Sequence, residues 1–424
     1  MKPLSRRMLN LGTENAFSVI GKAKKFEEEV LKPQGKYLIY LQIGEPGFNT
    51  PENINEAAIR AIKDNKTHYT PTPGIRELRE AVAQKTKKQT GVEYSPENVV
   101  VTSGGKSIIF YTINALIDPD DEVIIPNPAY PIYGSVTKYL GGKVIPIELK
   151  EENGFDLNVK ELEKSITKKT KLIVINSPQN PTGGVFTEES LQKVAELAKK
   201  HDLWVLSDEI YSEMVHQGEN SEKHFSITSV PGMAERTVIL NGCSKTYAMT
   251  GYRIGWGVTK NTEMARALET LACNDTSCPT AIAQYAAIEA LTGSQNPPVI
   301  MLAEYRKRRD LIVKLINNVP GMKCGSPKGA FYLMANVRGL LEKLGITTEE
   351  LCDRIMREAN VLILPGPVFG DFAENFVRFS YVANEENIIE GISRIKRFVD
   401  SLNFEKDLIS ENENAPITAT LNQL

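Results

Sequence analysis

The sequence predicts an α/β protein in which a large domain has a mostly parallel sheet between helices and a second domain is a smaller α+β unit. Two observations support this prediction. Short runs rich in Val, Ile and Leu alternate with helical patterns through the middle of the chain, as is typical of parallel sheets covered on both faces. After about Leu291 the pattern changes to a long polar helix and then to mixed strands and helices.

Five short apolar segments have the composition of buried parallel strands. They are residues 98–102, 122–126, 171–176, 203–207 and 237–241. Between the third and fourth segments, Thr187 can cap a helix in which Leu191 and Val194 recur at helical spacing. A strand, a helix and a strand in series form a right-handed βαβ unit, so we expect helices on both faces of the sheet.

The domain boundaries follow the same change in pattern. We predict an N-terminal arm and part of the small domain in residues 1–45, the large domain in 46–291 and the small domain in 292–404. Residues 405–424 are polar without an apolar period, which predicts a flexible tail. The basic run at 306–309 favours a solvated helix face with ion pairs to acidic neighbours over a phosphate-binding patch.

Composition and charge narrow the classes of function. The 424-residue chain has 41% hydrophobic residues and a formal net charge of −3, so no overall basic field would draw it to nucleic acid or to an anionic membrane. Five cysteines without a C-x-x-C pair argue against a disulfide framework and a zinc ribbon. Neither an apolar leader nor a membrane-spanning run is visible. We expect a cytoplasmic protein that acts on small molecules and has no metal site.

Polar residues collect directly after the predicted strands, where ligands of parallel sheets bind. Lys245 stands among Ser, Gly and aromatic residues in segment 242–256, which indicates chemistry rather than solubility. A lysine amine condenses with carbonyls most readily where neighbours lower its pKa. Asp208 follows an apolar strand, where a carboxylate needs a cation or a hydrogen-bond donor as partner. A protonated pyridine nitrogen would be such a partner for Asp208.

Further candidates suit the rest of such a ligand. Asn180 and Tyr211 can donate to a phenolate oxygen. Gly104-Gly105 opens a predicted helix whose free amides and dipole favour a phosphate. Ser244 and Arg253 are further donors to that phosphate. A phosphorylated, pyridine-based aldehyde fits all of these groups, and pyridoxal 5′-phosphate is that molecule.

Eight motifs strengthen this interpretation. They are IGEP at 43–46, HYTP at 68–71, GIRELR at 74–79, NSPQNPTG at 176–183, SDEIY at 207–211, SK at 244–245, RIG at 253–255 and RFSY at 378–381. Over about residues 10–400 the chain resembles the class I/II aminotransferases of the pyridoxal-phosphate fold type I superfamily, near the bacterial aspartate aminotransferase branch. The resemblance implies Lys245 as the Schiff-base lysine, Asp208 as the partner of the ring nitrogen, and Tyr211 with Asn180 on the ring oxygen.

The same resemblance implies the remaining contacts. Tyr130 would stack on the ring, and Tyr69 would reach the phosphate of the neighbouring subunit, which makes the site a property of a homodimer. Arg378 would bind the substrate α-carboxylate, aided by Asn180 and by the backbone amide of Gly44. The residues implied around the phosphate are Gly104, Gly105, Lys106, Ser244 and Arg253.

Three departures from the resembling branch fall on the substrate side. Gly47 replaces an aspartate, Ala129-Tyr130 replaces Tyr-Trp, and Cys278 replaces an asparagine. We predict transfer of an amino group between an L-amino acid and a 2-oxo acid. Elimination or cyclisation of an amino acid with the same cofactor stays open as the alternative.

Two charged residues point to different substrates. Lys106 resembles the position from which the aspartate branch meets a distal carboxylate, which favours aspartate or glutamate. Asp275, in a segment that the family sends over the neighbour's site, would repel that carboxylate and favour a basic side chain. Both also suit plain roles at helix ends. We favour a dicarboxylic amino donor, paired with a second amino acid or oxo acid that the sequence does not identify.

Overall fold

A computed structural model describes residues 3–12, 15–216 and 224–413. Its strands are β1 (Ile39–Tyr40), β2 (Val99–Thr102), β3 (Glu122–Asn127), β4 (Lys143–Glu148), β5 (Thr170–Asn176), β6 (Trp204–Asp208), β7 (Thr237–Gly242), β8 (Gly255–Val258), β9 (Tyr332–Asn336), β10 (Val361–Leu362), β11 (Leu364–Pro365) and β12 (Phe376–Ser380). Its α-helices are α1 (Asn15–Phe26), α2 (Glu52–Lys63), α3 (Arg76–Thr90), α4 (Gly105–Leu116), α5 (Ile132–Tyr139), α6 (Val159–Ser165), α7 (Glu188–Lys200), α8 (Thr262–Thr276), α9 (Ala281–Thr292), α10 (Asn296–Ile316), α11 (Arg338–Leu344), α12 (Thr348–Ala359) and α13 (Glu385–Glu413).

The large sheet has the strand order β2-β8-β7-β6-β5-β3-β4, and β8 runs antiparallel to both of its neighbours while the others run parallel. The predicted strands are confirmed as β2, β3, β5, β6 and β7, each within one residue at either end. The sequence did not reveal β4 and β8. β4 contains a proline and lies at a sheet edge, and β8 contains two glycines, so neither has the composition of a buried strand.

Side chains of the central strands alternate between two apolar layers. Leu172 and Val174 of β5 pack in the layer that contains α4, α5 and α8, whereas Ile173 and Ile175 pack in the layer that contains α7. Because both faces are covered, these strands appear in the sequence as continuous apolar runs. The predicted cap of α7 is confirmed, since Thr187 Oγ1 accepts a hydrogen bond from a backbone amide in the first turn at 3.2 Å.

The second domain contains a three-stranded antiparallel sheet in the order β11-β12-β9, with α10, α12 and α13 around the same core. β1 pairs in parallel with β10, and Ile39 and Leu41 bury their side chains with Phe379 and Ile388. The chain that precedes the large domain therefore contributes to the small one. The residue boundaries of the two domains stay a prediction.

The backbone of α13 continues to Glu413, nine residues into the predicted tail, and residues 414–424 lie outside the described residues. The tail therefore stays a prediction. Within the described ranges, none of the helices is long and apolar enough to cross a membrane, and no group of three His, Cys, Asp or Glu side chains is placed to hold a metal ion. The cytoplasmic location stays a prediction.

Candidate active site

A cavity of about 500 Å³ opens at the carboxyl ends of the parallel strands, where the two domains meet. Its wall includes Asp208 at the end of β6, Lys245 in the turn after β7, and Arg378 of β12 in the small domain. Gly104 lies beside the cavity against Arg253, and Tyr69 lies away from it. The predicted site residues that line the cavity are Gly44, Gly105, Lys106, Tyr130, Asn180, Asp208, Tyr211, Ser244, Lys245, Arg253 and Arg378.

Lys245 presents its amine to this cavity. Its Nζ donates a hydrogen bond to the carbonyl O of Gly44 at 2.5 Å and stands 5.9 Å from the centroid of the Tyr211 ring. Burial lowers the pKa of Lys245 to about 8, while the Glu45 carboxylate opposes this shift and the Arg378 guanidinium adds to it. At pH 7 about a tenth of the amine is therefore neutral and nucleophilic, far more than for an ordinary lysine.

Asp208 is buried at the end of β6, with 4% of its surface exposed. Its Oδ2 accepts a hydrogen bond from the Tyr133 hydroxyl at 2.7 Å, and its Oδ1 accepts one from the backbone amide of Ile210 at 3.2 Å. Burial raises the pKa of Asp208 to about 6, although both hydrogen bonds favour the ionised form. Because these two donors are neutral, the carboxylate suits a cationic group in the cavity.

Arg378 joins the small domain to the site. Its Nη1 donates to Asn180 Oδ1 at 3.0 Å, and its Nη2 donates to the backbone O of Gln42 at 2.6 Å. The guanidinium carbon lies 4.4 Å from the ring centroid of Tyr332, whose hydroxyl is 3.0 Å from the Tyr211 hydroxyl. These contacts hold a planar, charged fork in the cavity wall, which is the group best suited to a carboxylate.

Three glycines surround the start of α4. Gly104 has a φ of +97°, and a Cβ there would lie 2.3 Å from Arg253 Nη2. A Cβ on Gly255 would lie 2.4 Å from the backbone N of Gly105. The helix start, the guanidinium and β8 thus approach one another more closely than side chains would allow. Free helix amides beside a guanidinium favour an anion such as a phosphate, and Ser244 lines the same cavity.

The two residues considered for substrate selection are placed differently. Lys106 lines the cavity, and its Nζ stands 5.6 Å from the centroid of the Tyr130 ring. Asp275 does not line it, and Asp275 Oδ2 accepts a hydrogen bond from the Tyr111 hydroxyl at 2.5 Å. Of these two residues, therefore, only Lys106 lines the cavity of its own chain.

Tyr69 does not line the cavity of its own chain, and 91% of its surface is exposed. The loop that carries it is fastened, because the buried Gln284 donates from Nε2 to Thr70 Oγ1 at 2.9 Å. Tyr69 is therefore accessible to another molecule.

Three aromatic residues of the cavity were not singled out from the sequence. They are Tyr133, Tyr332 and Phe369. Tyr133 bonds a residue 75 positions away in the chain, and Phe369 lies with its ring centroid 4.8 Å from the guanidinium carbon of Arg378. A lone aromatic residue in a helix or loop is most often core packing, so no local signal separates these three from the rest.

Comparisons with known proteins agree with this geometry. The family described as "Aminotransferase class I and II" matches residues 36–395. Aspartate aminotransferase of Bacillus subtilis (strain 168) is 39% identical over 399 residues, which cover 94% of this chain and 99% of that protein. Aromatic-amino-acid aminotransferase 2 of Thermococcus litoralis is 39% identical over 363 residues, which cover 85% of this chain and 91% of that protein.

A solved structure leads to the same family. The aspartate aminotransferase from Thermus thermophilus with maleate superimposes with a TM-score of 0.86 at 37% identity, covering 94% of this chain and 100% of that chain. Aminotransferases move an amino group between an amino acid and a 2-oxo acid, and this chain belongs to the class I and II family of these enzymes.

Proposed function

We propose that this aminotransferase uses pyridoxal 5′-phosphate, held in the cavity between the two domains. The observation that carries the proposal is that Lys245 and Asp208 face the same cavity with opposite pKa shifts. The lowered pKa of the lysine suits a carbonyl partner, and the buried carboxylate suits a protonated ring nitrogen. The glycine-lined start of α4, with Arg253, suits the phosphate.

Bound there, the cofactor would supply an aldehyde to the Lys245 amine and a ring that draws electrons from the bonds of the substrate Cα. The chain supplies the acid–base chemistry, because Lys245 Nζ removes the Cα proton as a general base. Asp208 stabilises positive charge on the ring nitrogen. The other groups that would hold the cofactor are Gly104, Gly105, Tyr130, Asn180, Tyr211, Ser244, Arg253 and, through its backbone amide at the start of α4, Lys106.

The reaction with single amino acids tests this function. Protein loaded with pyridoxal phosphate should release about one equivalent of 2-oxo acid per site from an amino donor when no acceptor is present. Lys245→Ala should lose at least about a thousandfold in rate, because nucleophile and base are removed together. The exposed Lys193, which pairs with Glu189, provides the control variant Lys193→Ala with unchanged rates.

Two results would contradict this proposal. Full turnover by Lys245→Ala would remove the lysine from the mechanism. Continuous release of ammonia together with the 2-oxo acid would identify the elimination reaction that the sequence left open.

The raised pKa of Asp208 predicts a pH-dependent loss of stability in the cofactor-free protein. Its folded pKa of about 6 exceeds the ordinary value of 3.8, so the folded state keeps its proton to higher pH. The carboxyl group therefore leaves stability unchanged below about pH 4 and lowers it progressively up to about pH 6, by at most about 3 kcal/mol. Urea unfolding without cofactor should show wild type losing this free energy relative to Asp208→Asn as pH rises.

With cofactor bound at neutral pH, wild type should instead have the higher free energy of unfolding. Asparagine in Asp208→Asn cannot pair with a cationic ring nitrogen. The same variant should bind pyridoxal phosphate but turn over slowly. A difference in free energy of unfolding that stays constant from pH 4 to 7 would show that Asp208 does not carry the buried charge.

We further propose a dicarboxylic amino acid as the amino donor. Arg378 suits the α-carboxylate of any amino acid, so selection depends on groups that meet the distal end of the side chain. Lys106 is the candidate for that role, because it lines the cavity with a positive charge. The hydrogen bond from the Tyr111 hydroxyl to Asp275 weakens the argument for a basic substrate. The name of the Bacillus subtilis relative, aspartate aminotransferase, supports an acidic one.

Substitutions of Lys106 test whether its positive charge selects the amino donor. Lys106→Ala should lower kcat/KM for aspartate and glutamate by about 10- to 100-fold, the effect of losing a hydrogen bond to a charged group. Its kcat/KM for an apolar amino acid should change far less, and Lys106→Arg should keep much of the activity with the acidic donors. An unchanged kcat/KM for both acidic donors in Lys106→Ala would remove Lys106 from substrate selection, and a wild-type kcat/KM for them no higher than for an apolar amino acid would exclude the dicarboxylic donor.

We also propose that the enzyme is a homodimer in which Tyr69 completes the phosphate site of the partner. Support comes from its exposure on a fastened loop outside its own cavity. Ile59 and Ile62 of helix α2, the helix that precedes Tyr69 in the chain, are also about half exposed, and we propose that a second copy covers them together with Tyr69.

Mixed dimers test this arrangement. Tyr69→Ala and Lys245→Ala should each have little activity alone. When the two are co-expressed, about half of the dimers should be mixed, and each mixed dimer should contain one site with both native residues. About a quarter of wild-type activity should return, whereas no activity would return if Tyr69 served its own chain. A fully active monomer in sedimentation would also exclude the dimer.

A further inference from the structure

Gly47 stands where the resembling aminotransferase branch has an aspartate, and the structure leaves no room there for a side chain. A Cβ on Gly47 would lie 2.0 Å from the carbonyl O of Val382 and 3.0 Å from its carbonyl carbon. The obstacle is backbone of the small domain, which cannot turn aside as a long side chain can. Glycine at this position therefore allows the two segments to touch.

Residues 41–47, here named the strap, run from the small domain along the cavity. Arg378 Nη2 donates to the carbonyl O of Gln42 at 2.6 Å, and Lys245 Nζ donates to that of Gly44 at 2.5 Å. One short segment thus bonds both the arginine proposed for the substrate carboxylate and the lysine proposed for the chemistry. Its position directs the Arg378 guanidinium through the bond to Gln42 O.

Helix α10 holds the far end of the strap. The backbone N of Gly47 donates to the Tyr305 hydroxyl at 3.1 Å, and Arg308 Nη1 donates to Val382 O at 2.7 Å. The guanidinium carbon of Arg308 lies 5.0 Å from the ring centroid of Phe48, which meets Tyr305 edge to face at 5.1 Å. The oxygen that excludes a side chain at Gly47 is therefore itself held by a buried arginine.

The basic run at 306–309 is thus only partly the solvated face that the sequence predicted. Lys307 and Arg308 do pair with Glu304 in the same helix, as expected. Arg308, however, is only 8% exposed and donates to the backbone of Val382, which follows β12. A basic residue on a polar helix can turn inward where a backbone carbonyl and aromatic faces receive it.

We propose that Gly47, Tyr305 and Arg308 form a latch that positions the strap and thereby sets the affinity for the amino donor. They are positioning residues, because they act on the site through the strap. The link to affinity is the bond from Arg378 to Gln42 O, which directs the guanidinium that receives the substrate carboxylate. The effect on catalysis rests on the proposed function.

Two substitutions open the latch in different ways. Tyr305→Phe removes the hydroxyl and keeps the ring, while Gly47→Ala places a Cβ against Val382 O. Each should raise KM for the amino donor about tenfold, with kcat within about threefold and pyridoxal phosphate affinity unchanged. Gly325→Ala is the matched control, because a Cβ there meets nothing within 4 Å, and it should behave as wild type.

Amide hydrogen exchange of the cofactor-free protein provides a readout that needs no activity. Amides of the strap should exchange faster in Tyr305→Phe and Gly47→Ala than in Gly325→Ala. The latch is wrong if KM in both variants matches the control, or if kcat and cofactor affinity fall as much as KM rises. Absence of transamination in the wild type would overturn the proposed function alone, and unchanged strap exchange would still overturn the latch.

Discussion

The burial of Asp208 at the end of β6 is the constraint on which the rest of the site depends. β6 lies in a sheet that helices cover on both faces, so a carboxylate at its end has lost most of its water. Tyr133 and one backbone amide supply hydrogen bonds, yet the pKa still rises to about 6. A cation beside Asp208 would offset the cost of that burial, which is why the proposed function places the ring nitrogen of the cofactor there.

The pKa of Lys245 shifts in the opposite direction to that of Asp208, and burial is the main cause of both shifts. Loss of water lowers its pKa to about 8, because burial disfavours the charged form of an amine as it does that of a carboxylate. The parallel arrangement of β6 and β7 brings both residues to one edge of the sheet. Both shifts therefore arise from burial around one cavity, and the proposed function assigns the two residues to two ends of one cofactor.

The cavity is completed by segments that are distant in the chain. The small domain contributes Arg378, the strap connects that arginine to the lysine, and α10 holds the strap through Gly47. Tyr69 is exposed and lies outside the cavity lining of its own chain. The substrate half of the site thus depends on how the domains pack, whereas the proposed cofactor half depends mainly on the large sheet.

Local sequence patterns were sufficient to locate five strands of the large sheet and the polar residues that follow them. This was possible because a strand buried on both faces must be apolar throughout, and because ligand-binding groups follow such strands directly. Asp208 and Lys245 were found in this way from local patterns, and the family motifs added Arg378.

The side chains that surround Asp208, the strap and the latch could be identified only in the folded chain. Tyr133 bonds Asp208 across 75 positions, Arg308 turns inward to a carbonyl 74 positions away, and Gly47 meets the backbone of Val382. The glycine-rich strand β8 also forms because of packing, since it pairs on either side with the more apolar strands β2 and β7. Each of these contacts joins residues far apart in the chain, and composition near one residue carries no information about the segment that will pack against it.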